Sequence, residues 1–140
     1  DLFLEEKKIK NIEITLKNEL ANWSMLHAKL SWKEAEEYCD SLTEDGSSDW
    51  RLPTISELRG LIDPYCYQKW CEVSEKCLSW SCYDKKQCEG CGNKIKDKDT
   101  TLWSSSFVSG SKESVWLIYI MGRIYYDHKE YKHFVRCYRD

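Results

Sequence analysis

The sequence predicts an α+β fold in which two helices pack on a twisted antiparallel sheet, with a disulfide-rich insertion between them. Three observations predict it. Two capping boxes open amphipathic runs in the first half of the chain, at Ser31–Glu34 and at Thr54–Glu57. Residues 101–138 break into short β-rich runs separated by turn residues. Six of the eight cysteines crowd into the aliphatic-poor stretch 63–100.

Residues 1–20 mix charge with Leu4, Ile9, Ile12, Ile14, Leu16 and Leu20. Ile12, Ile14 and Leu16 alternate as a strand would, while the wider spacing also permits a helix. This segment is expected to be a linker or an oligomerisation element, with the domain proper over 21–140. Trp23, Met25 and Leu26 read as a short strand or turn. In the first helix Ser31 caps a free backbone N–H and Glu34 reaches back. Trp32, Ala35, Cys39 and Leu42 follow at helical spacing, and Asp45-Gly46-Ser47-Ser48 ends the run. Asp49-Trp50-Arg51-Leu52-Pro53 comes next, Pro53 pushing Leu52 toward an extended backbone. The second helix carries Ile55, Leu58, Leu61 and Ile62 and is expected to stop at Asp63-Pro64. Strands are expected at Leu102–Phe107, Val115–Ile120, Arg123–Tyr126 and His133–Tyr138, with turns at Val108–Lys112, at Met121-Gly122 and over the polar loop Asp127–Lys132.

The insertion 63–100 is too long and too poor in aliphatic residues to offset its ordering entropy by burial. Cross-links are the obvious substitute. The cysteines are Cys39, Cys66, Cys71, Cys77, Cys82, Cys88, Cys91 and Cys137. An even count at this density points to disulfides and to an oxidising, extracytoplasmic compartment, secreted or anchored at a cell surface. The simplest partition joins Cys39, on the helix's apolar face, to Cys137 in the last strand and closes the other six on themselves. Zinc is the rival, because Cys88-x-x-Cys91 has the spacing of half a zinc knuckle, although the other intervals supply no clean second pair.

Net charge is −3, from 21 basic and 24 acidic residues, which gives no overall footprint for nucleic acid. No apolar run reaches bilayer-spanning length, so contact with a membrane is expected only through an anchor outside this chain. The opening residues Asp1–Lys8 carry no h-region or cleavage site, as a mature or trimmed chain would also read.

Several elements occur in an order that carries a family resemblance. They are Trp32-x-x-Ala35-x-x-x-Cys39, Asp49-Trp50-Arg51-Leu52-Pro53-x-x-x-Glu57-Leu58, Leu102-Trp103-Ser104-Ser105-Ser106, Trp116, Gly122 and Val135-Arg136-Cys137. Over residues 20–140 the chain resembles the bacterial domain family named for the C-terminal domain of the collagen-like adhesin Lcl, in a cysteine-rich branch. The resemblance implies a C-type-lectin-like fold, related to the formylglycine-generating enzymes, on a secreted or surface-anchored bacterial protein. It implies adhesion, including binding of sulfated glycans by trimers. Fold alone does not transfer function.

The candidate motifs divide between architecture and chemistry. Asp49–Pro53 reads as architecture, with Arg51 pairing a carboxylate or capping a helix. Asp45, Ser47, Ser48 and Asp49 offer calcium oxygens, but the calcium-lectin motifs Glu-Pro-Asn and Trp-Asn-Asp are absent, and turn and cap roles serve these residues better. Ser104, Ser105 and Ser106 lack a nucleophile elbow, and His27, His128 and His133 are scattered. No catalysis, metal or cofactor is therefore expected. The alternatives are an oxidase like the formylglycine-generating enzymes and a purely structural or assembly domain, with a homotrimer joined through residues 1–20. The expected partner is an extracellular glycan, an acidic one suiting the cations, or a protein ligand. The expected binding surface is Tyr119, Arg123, Tyr125, His128, Lys129, Tyr131, Lys132 and His133. Two arguments place it there. Helices covering one side of the sheet would leave the other open, and Tyr119 would point outward if Trp116, Ile118 and Ile120 face the core.

Overall fold

The computed structural model describes residues 2–19, 21–61, 71–88, 100–119 and 122–140. The elements are α1 (Leu2–Glu19), β1 (His27–Leu30), α2 (Trp32–Ser41), α3 (Ile55–Arg59), a 3-10 turn (Trp80–Cys82), α4 (Lys85–Cys88), β2 (Thr101–Phe107), β3 (Ser114–Tyr119), β4 (Ile124–His128) and β5 (His133–Val135). The N-terminal segment is helical, and Leu2, Phe3, Leu4 and Ile9 on α1 are exposed.

Both capping boxes form. The Ser31 hydroxyl accepts from the Glu34 N–H while Glu34 Oε1 accepts from the Ser31 N–H, and Thr54 and Glu57 repeat the exchange. Helix α3 is shorter than expected. The N–H groups of Gly60 and Leu61 turn back to the carbonyls of Glu57 and Leu58, tightening the last turn before Asp63-Pro64, which lies outside the described residues.

The sheet has five strands in the order β1-β5-β2-β3-β4. It is mixed rather than purely antiparallel. Strand β5 slots between β1 and β2, which run in opposite directions, so it is antiparallel to β1 and parallel to β2, with Leu102 beside Phe134. The ends of the domain are knitted to this core: Tyr138 bridges both Trp23 and Arg51.

Both faces of the central strands are buried. Leu102, Trp116, Ile118 and Ile124 face a layer made by Ile55 and Leu58 of α3 with Cys71, Val73, Cys82 and Cys88 of the insertion. Trp103, Val115, Leu117, Val135 and Cys137 face a second layer with Ala35, Cys39, Trp50 and Leu52. The expectation of an open sheet face is thereby corrected. The described insertion is not laid over a finished core; it closes one face of the sheet, which is why Val115–Ile118 reads as an unbroken apolar run.

Cys39 is bonded to Cys137 across 98 residues of sequence, tying α2 to the C-terminal segment. Cys71 pairs with Cys88 and Cys77 with Cys82. Cys66 and Cys91 lie outside the described residues. Because Cys88 is spent on Cys71, the Cys88-x-x-Cys91 spacing is not half of a zinc knuckle.

Candidate functional site

The two most distinctive sequence motifs serve architecture. Arg51 grips Glu57 with both arms of its guanidinium, at 2.8 and 2.7 Å, and reaches Asp140 at 3.1 Å. Its guanidinium also lies 5.1 Å over the Tyr138 ring. Burial opposes ionisation of Glu57, but the Arg51 fork and the Thr54 N–H outweigh it and hold the carboxyl below its usual range. The three serines repair a break in the ladder, where the register between β2 and β3 shifts after Trp103. Ser104 donates its hydroxyl to the Trp116 carbonyl at 2.6 Å, the Ser105 N–H and hydroxyl both donate to the Pro53 carbonyl, and the Ser106 hydroxyl accepts from the Ile55 N–H. Glu44 to Ser47 is a tight turn with Asp45 and Gly46 at positive φ, and the Ser47 hydroxyl accepts from Arg139. Among the described residues no three His, Cys, Asp or Glu side chains gather as a metal site.

The residues expected to form a binding surface fall into three groups. Tyr119 and Tyr125 stack with ring centroids 5.1 Å apart, and Arg123 lies over both, 5.5 and 5.6 Å from the centroids. All three are half-buried. Burial, then the hydrogen bond with Tyr119, pushes the Tyr125 hydroxyl well above its usual pKa. The second group is the β4–β5 turn. His128 and Lys129 both reach Glu113, at 3.0 and 3.6 Å, while Tyr131 and Lys132 stand exposed. The third is His133 alone, only 7% exposed, with Nδ1 2.6 Å from the Thr101 hydroxyl, Nε2 2.7 Å from Asp127 and the Trp103 ring against its edge. Of the neighbouring cations, Arg136 donates to the Ser24 carbonyl and Arg139 packs on Trp50, so both brace the fold.

A second aromatic cluster is absent from the expected surface. Trp80, in the 3-10 turn, meets Tyr126 of β4 at right angles, with centroids 4.3 Å apart, and both lean on buried Trp116. Trp80 is 47% exposed and Tyr126 39%. The signal for Tyr126 was in the alternation: if Tyr125 turns to one face of β4, Tyr126 turns to the other. Trp80 carried no periodic signal, because it sits in a loop whose shape comes from its cysteines.

These features define a class: a disulfide-stapled α+β domain suited to an oxidising compartment, with cations and partly exposed rings on its edge strand and turns. Among the described residues no helix is long and apolar enough to cross a membrane. The particular family follows from the sequence, since residues 12–139 match the family described as the Lcl C-terminal domain, and the chain belongs to it. No curated protein matches the chain.

Proposed function

We propose that this chain is an extracytoplasmic, adhesin- or receptor-like ligand-binding domain of C-type-lectin-like fold, from a bacterial surface or secreted protein, recognising a glycan or a protein partner. The observation that carries this reading is the β4–β5 turn. Tyr131, 62% exposed, stands beside Lys129 and Lys132 on a turn held by main-chain bonds from Lys129 to Glu113, from Trp32 to Lys129 and from Tyr131 to His128. A ring and cations carried on a backbone fixed before binding suit an acidic sugar, because the turn itself has little freedom to lose. The family membership supports the adhesive role. All six described cysteines are bridged, so the oxidase alternative gains no working thiol from them. The exposed apolar residues of α1 favour a second reading, assembly through residues 1–20, which sedimentation of the chain with and without that segment tests.

The test of the binding reading is retention of a sulfated polysaccharide at two salt concentrations. The wild type should bind, and more weakly at high salt. Arg123→Ala, Lys129→Ala and Lys132→Ala combined should lose about tenfold or more in affinity. Equal binding by the folded triple variant removes this face from the site.

A further inference from the structure

We propose that the corner between Trp80 and Tyr126 is a saccharide subsite that takes the C–H face of a neutral pyranose. This deepens the ligand-binding reading above and rests on it, adding a second contact point of different chemistry.

The corner has the two properties that such a ring requires. The first is aromatic surface held rigidly. The main chain that carries Trp80 is held by the Cys77–Cys82 bridge spanning it and by the Tyr83 N–H, which donates to the Trp80 carbonyl. Beneath it, Trp116 is fixed by donating its indole N–H to the Leu78 carbonyl at 3.0 Å. Tyr126 stands on β4 directly opposite Trp116 in the sheet register. The two exposed rings thus come from different elements and close two sides of a corner, with planes 84° apart. The electron-rich face of an aromatic ring attracts the weakly positive C–H groups on the flat side of a sugar, and a side chain with few free torsions loses little entropy in doing so.

The second property is a polar rim that can meet hydroxyls. Trp32, Trp50, Trp103 and Trp116 each donate the indole N–H to a backbone carbonyl. Trp80 makes no such bond among the described residues, which leaves a donor beside its ring. The hydroxyls of Ser79 and Ser81 lie 2.7 Å apart on either side of it in sequence. Two residues beyond Tyr126 on the same face of β4 comes His128, paired with Glu113.

On the β4 side the charges favour a neutral sugar. Tyr125, stacked beneath Arg123, lies on the opposite face of β4 from Tyr126, so the Arg123 group does not point into the corner. On the Tyr126 face of β4, His128 is paired with Glu113, which precedes β3, and the Asp127 carboxylate is taken by His133.

The test uses affinity electrophoresis of the full chain through gels containing mannan, galactan, dextran or soluble chitin oligomers, at low and high salt. At least one should retard the wild type equally at both salts. Trp80→Ala should lose about tenfold or more of that affinity, as expected of an aromatic anchor, and Trp80→Phe should keep most of it. Tyr126→Ala should weaken it, and the triple cation variant should leave it unchanged. Retardation by none of the four, or retardation that survives Trp80→Ala or vanishes with the cations, overturns the subsite. Neutral sugars failing while sulfated polysaccharide binds through the cations would remove this subsite and leave the broader reading standing. The reverse pattern would remove the charged face and keep the corner.

Discussion

The two faces of the sheet are closed by different means. On one face α2 brings a regular helix, with Ala35 and Cys39 pointing inward and one long-range bridge to Cys137. On the other, α3 supplies Ile55 and Leu58, and residues 71–88 complete the cover with two short-range bridges. The second layer has little hydrogen-bonded secondary structure to hold it flat against the strands. Its cystines act as covalent staples and also as apolar filling, because Cys71, Cys82 and Cys88 are buried beside Val73. A loop poor in aliphatic residues can therefore seal a sheet when its cross-links join the core.

The comparison predicts a ranking of the bridges. Replacing Cys39 and Cys137 together by Ala should cost most, up to about 4–5 kcal/mol, because that bridge constrains the longest loop in the unfolded chain. Replacing Cys71 and Cys88 should cost about 3 kcal/mol, their sequence separation being 17. Urea midpoints of the two double variants check the order. If the Cys71–Cys88 variant is the weaker, the insertion is the keystone of the core and the loop-length account fails.

The bridge between Cys77 and Cys82, five residues apart, should contribute less to stability, about 2 kcal/mol. Its removal should show at the surface. Without it the 3-10 turn is freed, and Trp80 emission should shift to the red as the ring leaves Trp116. An unshifted spectrum would mean that packing alone places Trp80.

How much of this was legible in the sequence follows the same division. The α2 face was readable because its signals are local and periodic: the Ser31–Glu34 box and the spacing of Trp32, Ala35 and Cys39, with Cys137 as the partner of Cys39 in the simplest partition of the cysteines. Arg51 could be read as pairing a carboxylate, although Glu57 as that carboxylate needed the fold. The insertion face was not readable, since no period marks a loop whose shape is set by its bridges, so Val73 as core and Trp80 as surface went unseen. Two-sided burial of β3 was hidden for a different reason. An unbroken apolar run fits a strand covered on either or both faces, and only the second layer decides. The mixed sheet turned on where β5 inserts, a long-range choice that leaves no mark in the strand itself. For the expected binding surface, alternation could place Tyr119 and Tyr125 together, but not reveal that His133 turns inward to Thr101 and Asp127.

The smallest expected effect separates the faces by acid rather than by reduction, and it belongs to the α2 side, where His133 lies against Trp103. Burial lowers the His133 pKa below its usual 6.5; the hydrogen bond and charge of Asp127 pull it back up without prevailing, and Lys29 lowers it further. The neutral ring suits its neighbours, with Nε2–H donating to Asp127 and Nδ1 accepting from the Thr101 hydroxyl. In the unfolded chain the imidazole takes up its proton near 6.5, whereas the folded protein resists it. Between the folded value and 6.5 the unfolded state therefore binds more protons, and stability rises with pH. This contribution is fully present above 6.5 and is lost as the pH falls below it. Glu34 and Glu57, whose carboxyls are held below the ordinary 4.5, lose their contribution only further down, so the upper window reports on the histidine. The melting temperature should fall between about pH 7 and pH 5 in the wild type, and His133→Gln should flatten that slope. Asp127→Asn should steepen it, because the carboxylate that favours the imidazolium is gone. A wild-type melting temperature that does not move across this window, or an equal slope in His133→Gln, would show that the buried histidine carries no acid sensitivity and that the two faces differ only in their bridges.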